Sequence, residues 1–198
     1  MSIRVTNPDA WIIGPELVYS WISGNRAVYP KSAIYPPGTS TEEESKQAKE
    51  DMVKSQDTAI VAAVNYLQTH PEILAETKSQ GVERANQLDT KKIVFKTGET
   101  GGPSGGLVFS IGLVELLTEK DLLQKRHIAG TGTITARGVV GPIGGINEKI
   151  MSAQKVGATI FFAPVDNAEE ISNIPDGIKV VTVATLAQAI NYLERSGR

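Results

Sequence analysis

Gly101-Gly102-Pro103-Ser104-Gly105-Gly106, running straight into Leu107-Val108-Phe109-Ser110-Ile111, places a serine in a glycine-rich turn at the start of an apolar helix. The first backbone N–H groups of a helix have no partner within it and carry partial positive charge, so an oxyanion forming beside such a serine is stabilised. Glycines on both sides let a substrate carbonyl approach the backbone closely. Ser104 is therefore a candidate nucleophile, with Gly101, Gly102, Pro103 and Gly105 as candidate oxyanion or substrate-binding positions around it. The plainer reading is a turn whose serine only caps the helix. The hexapeptide alone leaves both open.

A nucleophilic serine needs a base. Residues 102–106 also fit G-x-S-x-G, the elbow of α/β-hydrolases, but that arrangement requires a histidine late in the chain. The histidines are His70 and His127; His70 precedes a proline at a helix end and His127 sits at the edge of a strand, so a Ser-His triad is disfavoured. No Gly-Lys-Ser/Thr follows the glycines, which rejects a phosphate-binding loop. A lysine serves if it is neutral when it meets the serine, which requires burial or nearby positive potential. Lys149 has that context: it follows the turn Gly141-Pro142-Ile143-Gly144-Gly145, near the start of a helix expected from about Asn147 to Val156. Ile146, Ile150 and Met151 flank it and are expected to keep water away.

Working outward from the serine turn, the second half alternates strand and helix. Lys92–Lys96 reads as a short strand and Gly105–Leu117 as a buried helix. Ile128–Thr135 and Gly138–Val140 read as a hairpin around Ala136-Arg137-Gly138. A strand over Ile160–Pro164, a short helix over Ala168–Ile174, a strand over Ile178–Val183 and a helix over Leu186–Glu194 complete the series. This order predicts an α/β domain with at least two parallel neighbours. Upstream, Ser40 or Thr41 with Glu43 or Glu44 makes a capping box for a long helix from about Thr41 to Leu67, exposed at first and apolar nearly all round towards its end. Residues 68–91 suggest one short helix and a loop. Residues 1–38 look like short β-type runs separated by turns, with Trp11, Tyr19, Trp21, Tyr29 and Tyr35 expected in the core rather than on a binding surface.

The composition excludes several classes of function. The 198 residues carry a formal net charge of -2 with no dense basic run, which argues against nucleic acid as a partner. The absence of cysteine excludes disulfides, thiolate metal sites and a cysteine nucleophile. No run of about 18 apolar residues occurs and the first residues lack an apolar signal core, so the chain is expected to be soluble as it stands.

With these motifs in place, a resemblance becomes specific. The loop Gly102-Pro103-Ser104-Gly105-Gly106, the run Gly130-Thr131-Gly132-Thr133-Ile134-Thr135 through Gly145-Ile146-Asn147-Glu148-Lys149, and Pro164-Val165-Asp166-Asn167 together resemble the proteolytic domain of Lon-type serine proteases. The likeness covers about residues 92–170. Within the family it is nearest to bacterial ATP-independent Lon-like proteases anchored at the membrane, which share a helix like Met52-Val53-Lys54-Ser55-Gln56-Asp57. The resemblance maps the catalytic serine onto Ser104, the catalytic lysine onto Lys149, and a threonine that helps to hold the lysine onto Thr131. Two acidic positions of Lon itself are Gly101 and Thr133 here, so no role for those carboxylates carries over.

What the resemblance implies is a Lon proteolytic fold, akin to a ribosomal-protein domain, over residues 92–198. Residues 1–91 would be a β-rich segment and long helix packed on it, in one cooperative unit. A PDZ domain usual in such relatives has no room between residues 68 and 92. The implied activity is ATP-independent endoproteolysis of unfolded or extended polypeptide by a Ser104–Lys149 dyad, with no cofactor or metal. The implied setting is a homo-oligomer, typically a hexameric ring, at the extracytoplasmic face of a bacterial membrane. The alternative is a non-catalytic Lon-like module for oligomerisation or binding.

Overall fold

A computed structural model describes residues 6–22, 28–36, 38–74, 93–95 and 102–196. Helices come first: the short α1 (Gly14–Ile22) and α2 (Lys31–Ile34), then the long α3 (Thr41–Thr69). The expected capping box starts α3, with Ser40 Oγ accepting from Glu43 N–H and the Glu43 carboxylate accepting from Ser40 N–H. Asp9 adds a second anchor, accepting from both the backbone N–H and the hydroxyl of Thr41 at 2.9 and 2.7 Å. Charged residues fill the first turns of α3, whereas Ala59, Ala62, Ala63, Tyr66 and Leu67 are buried, as the change in composition along it requires.

The serine turn follows as a 3-10 stretch, Pro103–Gly105, that leads into α4 (Gly106–Leu117). This helix is apolar on most sides because it runs through the main core. Leu107, Ile111, Leu113 and Val114 pack there against α3. Its buried polar residue, Ser110, donates to Gly106 O in its own helix and Ala59 O of α3, so no polar group is stranded.

Among the described residues, β1 (Ile128–Gly130), β4 (Ile160–Pro164) and β5 (Lys179–Val183) form a parallel sheet in the order β1-β4-β5, while β2 (Thr133–Ile134) and β3 (Val140–Gly141) form an antiparallel pair. Between β3 and β4 lies α5 (Ile146–Lys155), and α6 (Leu186–Arg195) closes the series. Strand β4 is buried on both faces, which is why it reads as an unbroken apolar run. Ile160 and Phe162 face the core shared with α3, α4 and α6, and Phe161 and Ala163 face a second cluster with Ile146, Ile150 and Ala153 of α5. The parallel α/β arrangement expected from the sequence is present.

Four expectations are corrected. First, the N-terminal β-rich segment is helical where described: Leu17–Ile22 lies in α1, and the described residues before α3 contain no strand. Pro15 is at the start of α1, where its fixed φ and missing N–H cost nothing. Trp11, Tyr19 and Tyr29 are not core either, at 94%, 61% and 56% exposed, and Tyr35 is half-buried; the side chain of Trp21 lies outside what the structure describes. Second, Ile93–Phe95 is not in a strand, although Ile93 packs against the core and the Phe95 ring lies 4.8 Å from that of Phe109; Lys92 and Lys96 lie outside the described residues.

Third, the single strand expected over Ile128–Thr135 is two. Gly132 breaks it by turning its N–H to Ser104 O at 2.8 Å and accepting at its carbonyl from Leu107 N–H at 3.1 Å. A side chain could not sit there, since a Cβ on Gly132 would fall 2.8 Å from Val140 Cγ1. Fourth, the helix expected over Ala168–Ile174 is a 3-10 stretch at Val165–Glu170. Of the short helix and loop expected over residues 68–91, the described part holds a 3-10 turn at Pro71–Ile73, and the remainder, residues 75–92, lies outside the described residues.

Candidate active site

Three elements converge on the serine. The Pro103–Gly105 turn presents Ser104, the segment leaving β1 presents Thr131, and the first turns of α5 present Lys149. All three line one cleft of about 100 Å³, together with Gly105, Val108 and Phe109 from the turn and α4, and Gly130 from β1. Residues 45 positions apart in the chain are thus brought to one small cleft by the pairing of β1 with β4 and the packing of α5 on the sheet.

The threonine joins the other two. Thr131, 3% exposed, donates its hydroxyl hydrogen to Ser104 O at 3.0 Å, and Lys149 Nζ donates to Thr131 Oγ1 at 3.3 Å. A hydroxyl has one hydrogen, and that hydrogen is committed to the serine carbonyl. The lysine must therefore be the donor in its contact with Thr131. A neutral amine in that position still has a lone pair for another proton. Thr131 is itself fixed, because its backbone N–H donates to Phe162 O of β4 at 2.9 Å.

Burial pushes the Lys149 ammonium down from its ordinary 10.5 to about 8. The side chain is 8% exposed, and desolvation disfavours the charged form. The wall that dries it differs from the sequence expectation. Ile146 and Ile150 are buried in the α5 cluster behind the lysine, while Val108 and Phe109 of α4 supply the apolar side of the cleft. The Phe109 ring occupies space that a side chain on Gly105 would need, since a Cβ there would come within 2.8 Å of Phe109 Cε2. That is the role of Gly105 in this structure.

The remaining candidate positions divide. Gly101 lies outside the described residues. Gly102 and Pro103 do not line the cleft and are turned to α3: Gly102 N–H donates to Ala48 O at 2.8 Å, and Pro103 O accepts from Ser55 Oγ at 3.0 Å. An N–H already used by a helix carbonyl is not available to an oxyanion, so these two brace the turn rather than face substrate. Gly102 has φ 88°, a conformation that glycine adopts without strain and that swings the chain into the turn. His127 is exposed at the start of β1, beyond the cleft lining, so the structure gives no support to a Ser-His pair.

Two further residues, Ser55 and Asn167, lie in stretches that carry the resemblance without being candidate site residues there, and both support the site. Ser55 carries a signal: it falls on the buried stripe Met52, Ser55, Ala59, Ala62 of α3, where a polar residue needs a partner. Asn167, 1% exposed, clamps the turn before α5 by accepting from Ile143 N–H at 3.0 Å and donating to Ile143 O at 2.9 Å. Its partner is the backbone of a distant turn, which no local pattern announces. Among the described residues no His, Asp and Glu cluster could hold a metal ion, and no helix is long and apolar enough to cross a membrane.

Comparison with known proteins identifies the family of the chain. Residues 46–194 match the family model described as the Lon protease (S16) C-terminal proteolytic domain. Over 78 residues, 39% of the chain, the sequence is 42% identical to the Lon protease of Brevibacillus choshinensis and 41% identical to Lon protease 1 of Bacillus subtilis strain 168. It is 34% identical over 95 residues, 46% of the chain, to the Lon protease of Azorhizobium caulinodans. The matched stretch spans only 10% of the first two relatives and 11% of the third. The family match takes in most of α3, the serine turn, Thr131, Lys149 and most of α6, and the chain belongs to the Lon protease C-terminal proteolytic domain family.

Proposed function

We propose that this chain is an ATP-independent serine endopeptidase that cleaves unfolded or extended polypeptide with a Ser104–Lys149 dyad. One observation carries the reading: a lysine whose pKa burial lowers to about 8 shares a small cleft with the serine of a glycine-rich helix start, and Thr131 is bonded to both residues. Neutral Lys149 takes the Ser104 hydroxyl proton as Oγ bonds to the scissile carbonyl carbon, and the carbonyl oxygen becomes an oxyanion. Collapse of the tetrahedral species breaks the C–N bond, and the lysine returns the proton to the departing amine. Water then attacks the acyl-serine with Lys149 again as base, releasing the acid and restoring the serine.

ATP independence and action on unstructured chains rest on the likeness to the membrane-anchored Lon-like proteases, as do a homo-oligomeric ring and an extracytoplasmic site of action. The test is hydrolysis of a casein-like unstructured protein without ATP by the chain, by Ser104→Ala and by Lys149→Ala. Cleavage by the parent alone is the expected result. Cleavage that survives Ser104→Ala would overturn the mechanism. An inert parent with an unreactive Ser104 would favour the non-catalytic module instead.

A further inference from the structure

We infer that Ser55 of α3 is a positioning residue that aims the Ser104 N–H into the cleft as the oxyanion donor, an inference that rests on the serine protease reading above. A trans peptide group is planar, so its C=O and N–H point in opposite directions. The Pro103 carbonyl and the Ser104 N–H belong to one such group. Ser55 Oγ donates to Pro103 O at 3.0 Å, which turns that carbonyl towards α3. The Ser104 N–H is thereby turned away from α3. The cleft lies on that side, since its walls come from the serine turn, α4, β1 with Thr131, and α5.

Among the described residues, none accepts from the N–H so aimed. Pro103 opens the 3-10 stretch and has no N–H, so that of Ser104 is the first donor of the turn, where no acceptor exists within the helix. Its neighbours are held as firmly. Gly102 N–H is tied to Ala48 O, seven residues before Ser55 and on the same face of α3. On the other side, Ser104 O is held by Thr131 Oγ1 and by Gly132 N–H at 2.8 Å. Both peptide groups flanking Ser104 are thus clamped through their carbonyls, one by α3 and the other by the segment after β1.

Close helix contact makes the Ser55 bond possible. A Cβ on Gly106 would come within 3.2 Å of Ser55 Oγ and 2.8 Å of Ile134 Cγ2, so glycine at the start of α4 leaves the hydroxyl room beside the turn. Ser55 is 7% exposed, and water has little access to replace it as a donor to Pro103 O.

The experiment is the rate constant for covalent labelling of Ser104 by a fluorophosphonate, whose phosphoryl oxygen needs the same donor as an oxyanion. It is measured against pH in the parent, Ser55→Ala and Ser55→Cys. Ser55→Ala is expected to lower the plateau about tenfold or more. Its acid limb should stay where the parent's lies, because Lys149 is untouched. Ser55→Cys, which keeps a weak donor in nearly the same place, is expected to recover part of the rate. Labelling of Ser55→Ala at the parent's rate, or a loss that only follows the unfolded fraction in a melting curve, would overturn the inference. Should Ser55→Ala fail to fold, Ser55→Cys at the parent's full rate overturns it and an intermediate rate supports it. A folded parent that is never labelled at Ser104 would overturn the proposed function, and the inference with it.

Discussion

Lys149→Met is expected to lower kcat on an unstructured substrate by about 10³-fold or more while making the folded chain more stable at pH 7. The loss follows from removing the base; Met fills similar space but cannot take a proton. The gain follows from burial. The folded pKa of Lys149 is lowered to about 8 from 10.5, so between those values the unfolded chain binds more protons than the folded one and stability of the parent rises with pH. Below about pH 8 the folded parent bears the full desolvation penalty of a buried ammonium, and above 10.5 neither state carries the charge. Melting temperatures of parent and variant should therefore differ most below pH 8 and converge as pH rises towards 10.5. In the parent, activity should rise about tenfold from about pH 7 to about pH 9 as the lysine becomes neutral. An acid limb near the reference histidine value of about 6.5 would instead contradict Lys149 as the base.

Thr131→Val is the second large effect, with kcat expected to fall about 10- to 100-fold. The substitution keeps the shape and deletes the hydroxyl that joins Lys149 Nζ to Ser104 O. Ser104 O still accepts from Gly132 N–H, so the serine turn should survive, whereas the lysine loses its hydrogen-bond acceptor. An ammonium loses more than a neutral amine when an acceptor disappears, so the acid limb of the residual activity should move to lower pH. Burying an unsatisfied amine costs about 1–3 kcal/mol, which a denaturation curve would detect. Unchanged kcat with an unchanged acid limb would remove Thr131 from the site.

Much of the core is legible in the sequence because its signals are local. The capping box at Ser40 and Glu43 announces α3, and the unbroken apolar run of Ile160–Pro164 announces a strand covered on both faces. The N-terminal segment misleads for a physical reason. Apolar runs as short as Leu17–Ile22 do not separate strand from helix by period, and the better clue is Gly14-Pro15-Glu16, a proline at a helix start. Gly132 is hidden in a β-like run because the contact that requires glycine comes from the facing strand, where Val140 Cγ1 would lie 2.8 Å from any Cβ at that position.

The site divides in the same way. Ser104, Thr131 and Lys149 stand out because each belongs to a motif of fixed local spacing, and the fold brings them to one cleft. What surrounds them is tertiary. Phe109 lines the cleft where Gly105 leaves room for its ring, and Ser55 reaches Pro103 O beside a glycine, Gly106, where a Cβ would crowd the hydroxyl. Gly102 and Pro103 look like substrate-facing groups by position, yet α3 takes the N–H of one and the carbonyl of the other. Sequence spacing locates a turn but not the direction in which its peptide groups point.

The dyad is tested most directly by mapping a fluorophosphonate adduct by mass spectrometry in the parent and in Lys149→Met. The expected result is one adduct, on Ser104, formed faster as pH passes about 8 and lost in Lys149→Met. An adduct on another residue, or labelling of Ser104 at the same rate without the lysine, would contradict the dyad.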